Sequence, residues 1–494
     1  SDAEFSAFTA RRPDLTRRLA SGRLDAMLWA GNAQQARQVM PLADDGWRAL
    51  AEARLALRAR APGVDRLIAA VPARLSADPG LAWERFLWRA RSDRDAEAEQ
   101  LLMQRTGSAA ALGRPDIWAE RRASFARRAF RDGRPAEAYR MASQHHLTTG
   151  TEFADLEWLS GWIALQGLND PVRAAQHFRR HYDDVVTPIS RGRGGYWMGR
   201  AYEAMGDRTR AREWYARGAE HPTSFYGQLA AEKIGRDPTG ELAARDGVRD
   251  WRSRLGGNDT ARAIALLQAA GRDADARAFI ASLSRSLTAR EDFAALGALA
   301  ESVGRPDGAV VAGKQAVRLG HVVMDIYYPV VDVVTAARAV EPAKALAIAR
   351  QESEMNPGAV SPAGARGLMQ LMPGTAQKVA KDLGLRYSRD ALTADPAYNV
   401  RLGQTYLAEM LARYGQAPML AAAAYNAGPG RVDQWLGRYG DPRRPGVDPI
   451  DWIEHIPFTE TRNYVHRVME GLHVYRARLG AAKAPSYAGA LTRL

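Results

Sequence analysis

The sequence predicts a mainly α chain: an α-superhelical solenoid of helical pairs, a helical linker domain, and a last domain whose helices are broken by tight turns. Up to about residue 320, nearly every segment reads as a short amphipathic helix, and strand-like alternation is not sustained anywhere. Within that region a Gly is followed five residues later by an Ala at Gly31 and Ala36, Gly133 and Ala138, Gly206 and Ala211, Gly271 and Ala276, and Gly304 and Ala309. The Gly supplies the left-handed residue that ends one helix, and the small Ala lets the next helix pack closely.

Each element follows in order. In the two best copies, "SGWIALQGLNDPVRAAQHFRRHY" and "MGRAYEAMGDRTRAREWYARG", Ala174 and Phe178 recur as Ala211 and Tyr215 at a spacing of 37. That period belongs to helical-pair repeats, whose stacking curves into a superhelix with a concave surface. The aromatic clusters "YWMGRAY" and "REWY" are expected to fill the helix-pair core. The breakers in "GRDPTGELAARDG", residues 235–247, mark a boundary. The expected division is a repeat domain over 1–242, a helical linker over 243–322 and a last domain over 323–494.

Composition narrows the function classes. A chain of 494 residues with 46% hydrophobic and 25% charged residues is an ordinary multidomain globular protein. Cysteine is absent, which excludes disulfides, thiol catalysis and Cys-based metal sites. No window reaches the run of roughly 18 apolar residues that a membrane span needs. The start, "SDAEFSAFTARRPDL", has neither an initiating Met nor the layout of a secretory signal, as expected of a chain whose leader has been removed or that has been trimmed. The formal net charge of +13 fits either attraction to a polyanion or a solvated Arg-rich surface. Nucleic acid is not the expected partner, because the basic residues are scattered and no zinc-finger, RNP or basic-zipper pattern occurs. His466 and His473 share a helix face but no HExxH accompanies them, so they read as helix-surface histidines, with no metal and no cofactor expected.

The chemistry concentrates in "EPAKALAIARQESEMNP". Read as a helix with Pro342 in its first turn, it places Ala345, Ile348, Ala349 and Glu352 on one face. Glu354 falls about 200° away, on the side of Arg350, as a surface glutamate. Burial and the negative end of the helix dipole both raise the pKa of Glu352. It is therefore either a buried glutamate satisfied by Arg or backbone donors, or a general acid. "NPGAVSPAGARG" must form tight turns or a small irregular sheet that brings Ser361 near Glu352. "GLMQLMPGTAQKVAKDLG" reads as a short helical turn stopped at Pro373, then a helix begun near Thr375 and closed at Gly384.

Three blocks, "ARQESEMNPGAVSPAGARGLMQLMPGTA", "AAAAYNAGPGR" and "IPFTETRNYV", resemble those of the soluble lytic transglycosylases, enzymes that cleave peptidoglycan glycan strands within a lysozyme-like α+β domain. The resemblance covers roughly the last 170 residues; the front of the chain resembles, in architecture, the large periplasmic members with their α-superhelical ring and linker domain. It implies a periplasmic enzyme acting on peptidoglycan glycan strands, with cell-wall enzymes as further partners of the solenoid. By resemblance Glu352 is the single catalytic acid and base, and Ser353 belongs to the signature. Ser361, Gln370 and Met372 line the groove, Tyr425 and Asn426 face Glu352 with the Tyr hydroxyl placed to bond the carboxyl or the sugar, and Glu460 and Tyr464 complete the set. Met355 stands where the family often has an aromatic residue. The implied reaction protonates the bond between N-acetylmuramic acid and N-acetylglucosamine and closes a 1,6-anhydro ring without water. The alternatives are a hydrolytic muramidase, which needs a second carboxylate, and an inactive glycan-binding scaffold. Among candidate second acids, Asp382, Asp395 and Glu409 read as solvated helix residues, leaving Glu460, near a helix N-terminus, as the best.

Overall fold

The computed structural model describes residues 7, 10–247, 250–481 and 486–492. The chain divides into two compact units, Ser1–Asp184 and Val185–Leu494. Both are built of helices. Among the described residues, the only extended pairing is a pair of isolated bridges, Val360 with Arg366 and Arg366 with Leu371.

The Gly-to-Ala signature sits where helices turn. Gly31, Gly133, Gly206, Gly271 and Gly304 all have φ between 67° and 77°. In each case the next residue's N–H reaches back five residues, as in Arg134 to Ala129 O and Asp207 to Tyr202 O, which closes the helix as glycine at this position commonly does. The partner alanines are buried in every copy. The paired helices approach closely through a second glycine. A Cβ on Gly161 would lie 2.6 Å from the Phe178 ring, and one on Gly199 would lie 2.4 Å from the Tyr215 ring. In the first of these copies the left-handed turn residue is Asn169, φ 51°. Tyr196, Trp197, Trp214 and Tyr215 are buried, as the helix-pair reading expects.

Within the second unit, residues 251–326 have a core of their own, built from Trp251, Ile264, Ile280, Phe293, Leu296 and Leu299 among others. The boundary expected at 242 falls inside this unit. Just ahead of it, the helix Phe225–Lys233 docks on the long helix Thr459–Arg478. The Phe225 N–H donates to Glu470 Oε2 at 2.9 Å, the Tyr226 hydroxyl donates to Glu454 Oε1 at 2.6 Å, and the Gln228 amide donates to Glu470 O at 3.2 Å. His466 packs its ring on Phe225 with centroids 4.7 Å apart. Burial lowers its pKa to about 3. It is thus a neutral core residue and not the helix-surface histidine expected, because the helix is covered on that face by a segment more than 200 positions earlier.

Helix Pro342–Ser353 runs through the middle of the last region. It is buried on nearly all sides, through Ala343, Ala345, Leu346, Ala347, Ile348 and Ala349. Arg350, expected at the surface, is buried too: its Nε donates to Tyr327 O at 2.6 Å, and its guanidinium stacks 4.3 and 4.1 Å from the centroids of Tyr327 and Tyr328. A cation survives burial here because a carbonyl and two π faces replace its water.

Candidate active site

The Glu352 helix ends at Ser353 because the backbone turns left-handed at Glu354, φ 54°, and stays so at Met355, φ 66°. Glu354 is therefore outside the helix. It pairs with Arg277 and Lys314, and Arg350 is not its neighbour on a shared face. The Ser353 hydroxyl is turned inward, within hydrogen-bond distance of Ala349 O (3.1 Å) and Leu368 O (2.8 Å). It ties the helix end to the following loop and presents nothing to a ligand.

That loop is a run of turns closed by the two bridges. Ser361 accepts from the Ala365 N–H at 3.0 Å through its hydroxyl, and its backbone pairs with the same residue. Gly367-Leu368-Met369-Gln370, expected as a helical turn, is instead a tight turn between bridges, and the next helix starts at Pro373. The reason is Asn399, a residue the sequence reading missed. Fully buried, it accepts from the Met369 N–H at 2.9 Å and donates to Arg366 O and Leu392 O at 2.9 and 3.0 Å. These bonds substitute for the ones a helix would supply. Its signal was available: like Glu352, it is a polar residue in line with an apolar helical face, here that of Gly403, Leu407 and Met410. Gln370 has φ 45°, and its amide nitrogen is bound to Ala359 O and Gly367 O at 3.0 and 2.8 Å. Its side chain thus builds the loop while its carbonyl oxygen remains an acceptor. Met372 is 44% exposed at the start of the next helix.

Glu352 is half-buried, and its Oε1 accepts a 2.7 Å hydrogen bond from the Tyr464 hydroxyl. Burial pushes its pKa up, the Tyr464 bond opposes this, and the charge of Glu460 adds to the rise; the result is about 7. Tyr464 is buried, and burial together with the Glu352 charge keeps its own hydroxyl protonated. Tyr425 is also buried beside Glu352, and burial first, then the Glu352 charge, raise its pKa, but its hydroxyl donates to Met369 O at 2.8 Å. The tyrosine bonded to the carboxyl is therefore Tyr464, and Tyr425 pins the loop. Asn426 accepts from the Thr461 hydroxyl at 2.6 Å, which joins the end of helix Pro418–Ala427 to the first turn of Thr459–Arg478. Glu460 is exposed in that first turn.

The remaining acids are engaged elsewhere: Asp382 and Glu409 share Lys378, and Asp395 caps the helix Pro396–Arg413. Among the described residues, no group of His, Asp and Glu is placed to hold a metal ion, and no helix is long and apolar enough to cross a membrane.

The site thus combines a protonatable glutamate, fixed by a tyrosine at the end of a buried helix, with a turn-rich loop behind it. Residues 330–444 match the family described as Transglycosylase SLT domain. The chain is 42% identical over 147 residues to the soluble lytic murein transglycosylase of Escherichia coli K12, a stretch covering 30% of this chain and 22% of that one. It is 45% identical over 125 residues to a putative soluble lytic murein transglycosylase of Haemophilus influenzae, covering 25% and 20%. The sequence matches thus span about a fifth of the length of these curated relatives.

In fold, the chain is similar to an inactive mutant of the lytic transglycosylase Slt from Pseudomonas aeruginosa, with a TM-score of 0.61 and 22% identity over 98% of this chain and 90% of that one. The 70 kDa soluble lytic transglycosylase of Escherichia coli gives 0.53 and 21% over 97% and 89%. The fold is accordingly the one expected, a mainly α helical-repeat solenoid with a lysozyme-like domain. Residues 330–444 thus carry a Transglycosylase SLT domain, and in sequence there and in overall fold the chain is similar to the soluble lytic transglycosylases.

Proposed function

We propose that the chain is a periplasmic lytic transglycosylase that cleaves the β-1,4 bond between N-acetylmuramic acid and N-acetylglucosamine in peptidoglycan. In this reading Glu352 serves as acid and then as base. The observation that carries it is the state of Glu352: a carboxyl with a pKa of about 7 holds its proton on a large fraction of molecules near neutrality. With Oε1 occupied by Tyr464, the proton is delivered from the other oxygen to the glycosidic oxygen, and the N-acetylglucosamine side leaves. The 2-acetamido oxygen of the muramoyl residue assists at the anomeric carbon. The Glu352 carboxylate then takes the proton of the muramoyl C6 hydroxyl as O6 closes on C1, which restores the acid and yields a 1,6-anhydro end. No water is consumed. Tyr464 keeps the carboxyl aimed through both steps. Gln370, Met372, Ser361, Asn426 and Glu460 are the proposed groove contacts, whereas Ser353 and Tyr425 act on the frame that holds the groove.

A single acid favours this chemistry over hydrolysis, which needs a carboxylate to activate water. Mass spectrometry of fragments released from purified peptidoglycan tests the reading. Products one water lighter than hydrolysis gives are expected; full-weight reducing ends would overturn it in favour of a muramidase. Glu352→Gln is expected to fold normally and to lower release by at least about 1,000-fold. Undiminished release would remove Glu352 from the reaction.

A further inference from the structure

The two left-handed residues after the Glu352 helix, Glu354 and Met355, each cost on the order of 1 kcal/mol without glycine. Something must hold them in place. Met355 is fully buried, which fixes one. The Glu354 carboxylate is held from two other helices. Arg277 Nη2, in Asp273–Ser286, lies 3.0 Å from its Oε2, and Lys314 Nζ, in Pro306–Arg318, lies 2.6 Å from its Oε1.

Behind Arg277 the charges continue. Its Nε is 3.1 Å from Oδ2 of the buried Asp307, the same oxygen takes Arg305 Nη2 at 2.7 Å, and Arg305 Nη1 is 3.3 Å from Asp273 Oδ2. Six charged groups on and beside the helices Asp273–Ser286 and Pro306–Arg318 therefore connect, through the buried Asp307, to a point two residues from Glu352. The two pairs on Glu354 are partly exposed and add little to global stability. What they fix is geometry: both carboxylate oxygens are held by separate helices, so the backbone at 354 cannot rotate without breaking a contact.

We propose that Glu354 is a positioning residue, its doubly held carboxylate tying the end of the Glu352 helix to the helices of residues 251–326 so that they set the aim of the acid. The proposal rests on the reading of Glu352 as the proton donor. Small errors in aim cost rate more than binding.

Glu354→Gln, an isostere that loses the charge, is therefore expected to lower kcat on purified peptidoglycan by about 3- to 10-fold while KM stays within about twofold and Tm within about 2 °C. Lys314→Gln is expected to lower kcat in the same way, and the double variant to be no slower than Glu354→Gln alone, since both break one connection. An unchanged kcat, a loss shared with KM or Tm, or additive losses in the double variant would overturn the proposal. A wild-type protein that releases no anhydro product would instead overturn the function, so the two failures are told apart.

Discussion

At the scale of single residues, two glutamates of this chain show how partners decide a role. Glu157, in the first unit, is buried more fully than the half-buried Glu352, and burial alone would raise its pKa. Hydrogen bonds from His145 and His177, with Arg180 at 2.9 Å, outweigh that and hold it down to about 2, a permanently charged structural group. Among the described residues no cation pairs with Glu352. Its donor there is a tyrosine, its nearby charge is another acid, and its pKa rises to about 7. If the protonated form starts the reaction, activity falls as pH rises through that value. The sign of each neighbour then fixes the response. Tyr464 stabilises the carboxylate, so Tyr464→Phe is expected to move the basic limb of the kcat/KM profile to higher pH, with about a 10-fold loss in rate from the lost aim. Glu460 destabilises the carboxylate, so Glu460→Gln is expected to move the same limb to lower pH. Limbs that shift in one common direction, or stay put in both variants, would show that these neighbours do not set the acid.

Among the elements, what the sequence reveals depends on whether a residue's partner is close along the chain. The helix-ending glycines were legible because their function is local: the left-handed φ and the back-reaching N–H both lie within six residues. Glu352 was legible as an anomaly on an apolar face for the same reason. The ending at Glu354 and Met355 was not, because non-glycine residues take that conformation only when distant groups hold them, and Arg277 and Lys314 are 77 and 40 positions away. Likewise the 367–370 turn was misread as helix, since Asn399 satisfies it from 30 positions on. The resemblance placed the Tyr425 hydroxyl to bond the carboxyl or the sugar, whereas Tyr464 bonds the carboxyl and Tyr425 bonds Met369 O, because both sit on suitable helices and only packing decides. Gly367 tests how much the loop matters. It has φ 78°, and a Cβ there would lie 2.1 Å from Leu392 O and 2.3 Å from Asn399 Nδ2. Gly367→Ala is therefore expected to destabilise the second unit by at least about 2 kcal/mol and to abolish glycan release, whereas Gly374→Ala, with φ in the ordinary range and open space around its Cβ, is expected to be near neutral. Thermal unfolding followed by far-UV circular dichroism measures both, and equal melting temperatures for the two variants would refute the loop's role.

On the scale of the whole molecule, the repeats and the site share one chain for a physical reason that charge makes testable. The formal net charge of +13 is large for a protein whose proposed reaction needs only one neutral carboxyl, and peptidoglycan carries muramoyl lactate and stem-peptide carboxylates along its length. Within the second unit, the helix Phe225–Lys233 is bound through Glu470 to the helix that bears Tyr464 and through Glu454 to the helix Pro449–His455 just before it, so a strand held by helices ahead of the site would be held by a frame continuous with the acid. Exposed charges act over about 10 Å at 0.1 M salt and only about 3 Å at 1 M. If the excess of arginine gathers the polymer, binding must weaken as salt rises, while the chemistry at half-buried Glu352 must not. The Glu352→Gln variant separates the two, because it is expected to bind without digesting. Its affinity for purified sacculi is expected to fall at least about 5-fold between 50 and 300 mM salt, while the wild-type rate at saturating substrate changes by less than about twofold. Affinity that is flat across this range would assign the charge to solvation alone, and leave the grip on the glycan to the groove around Glu352.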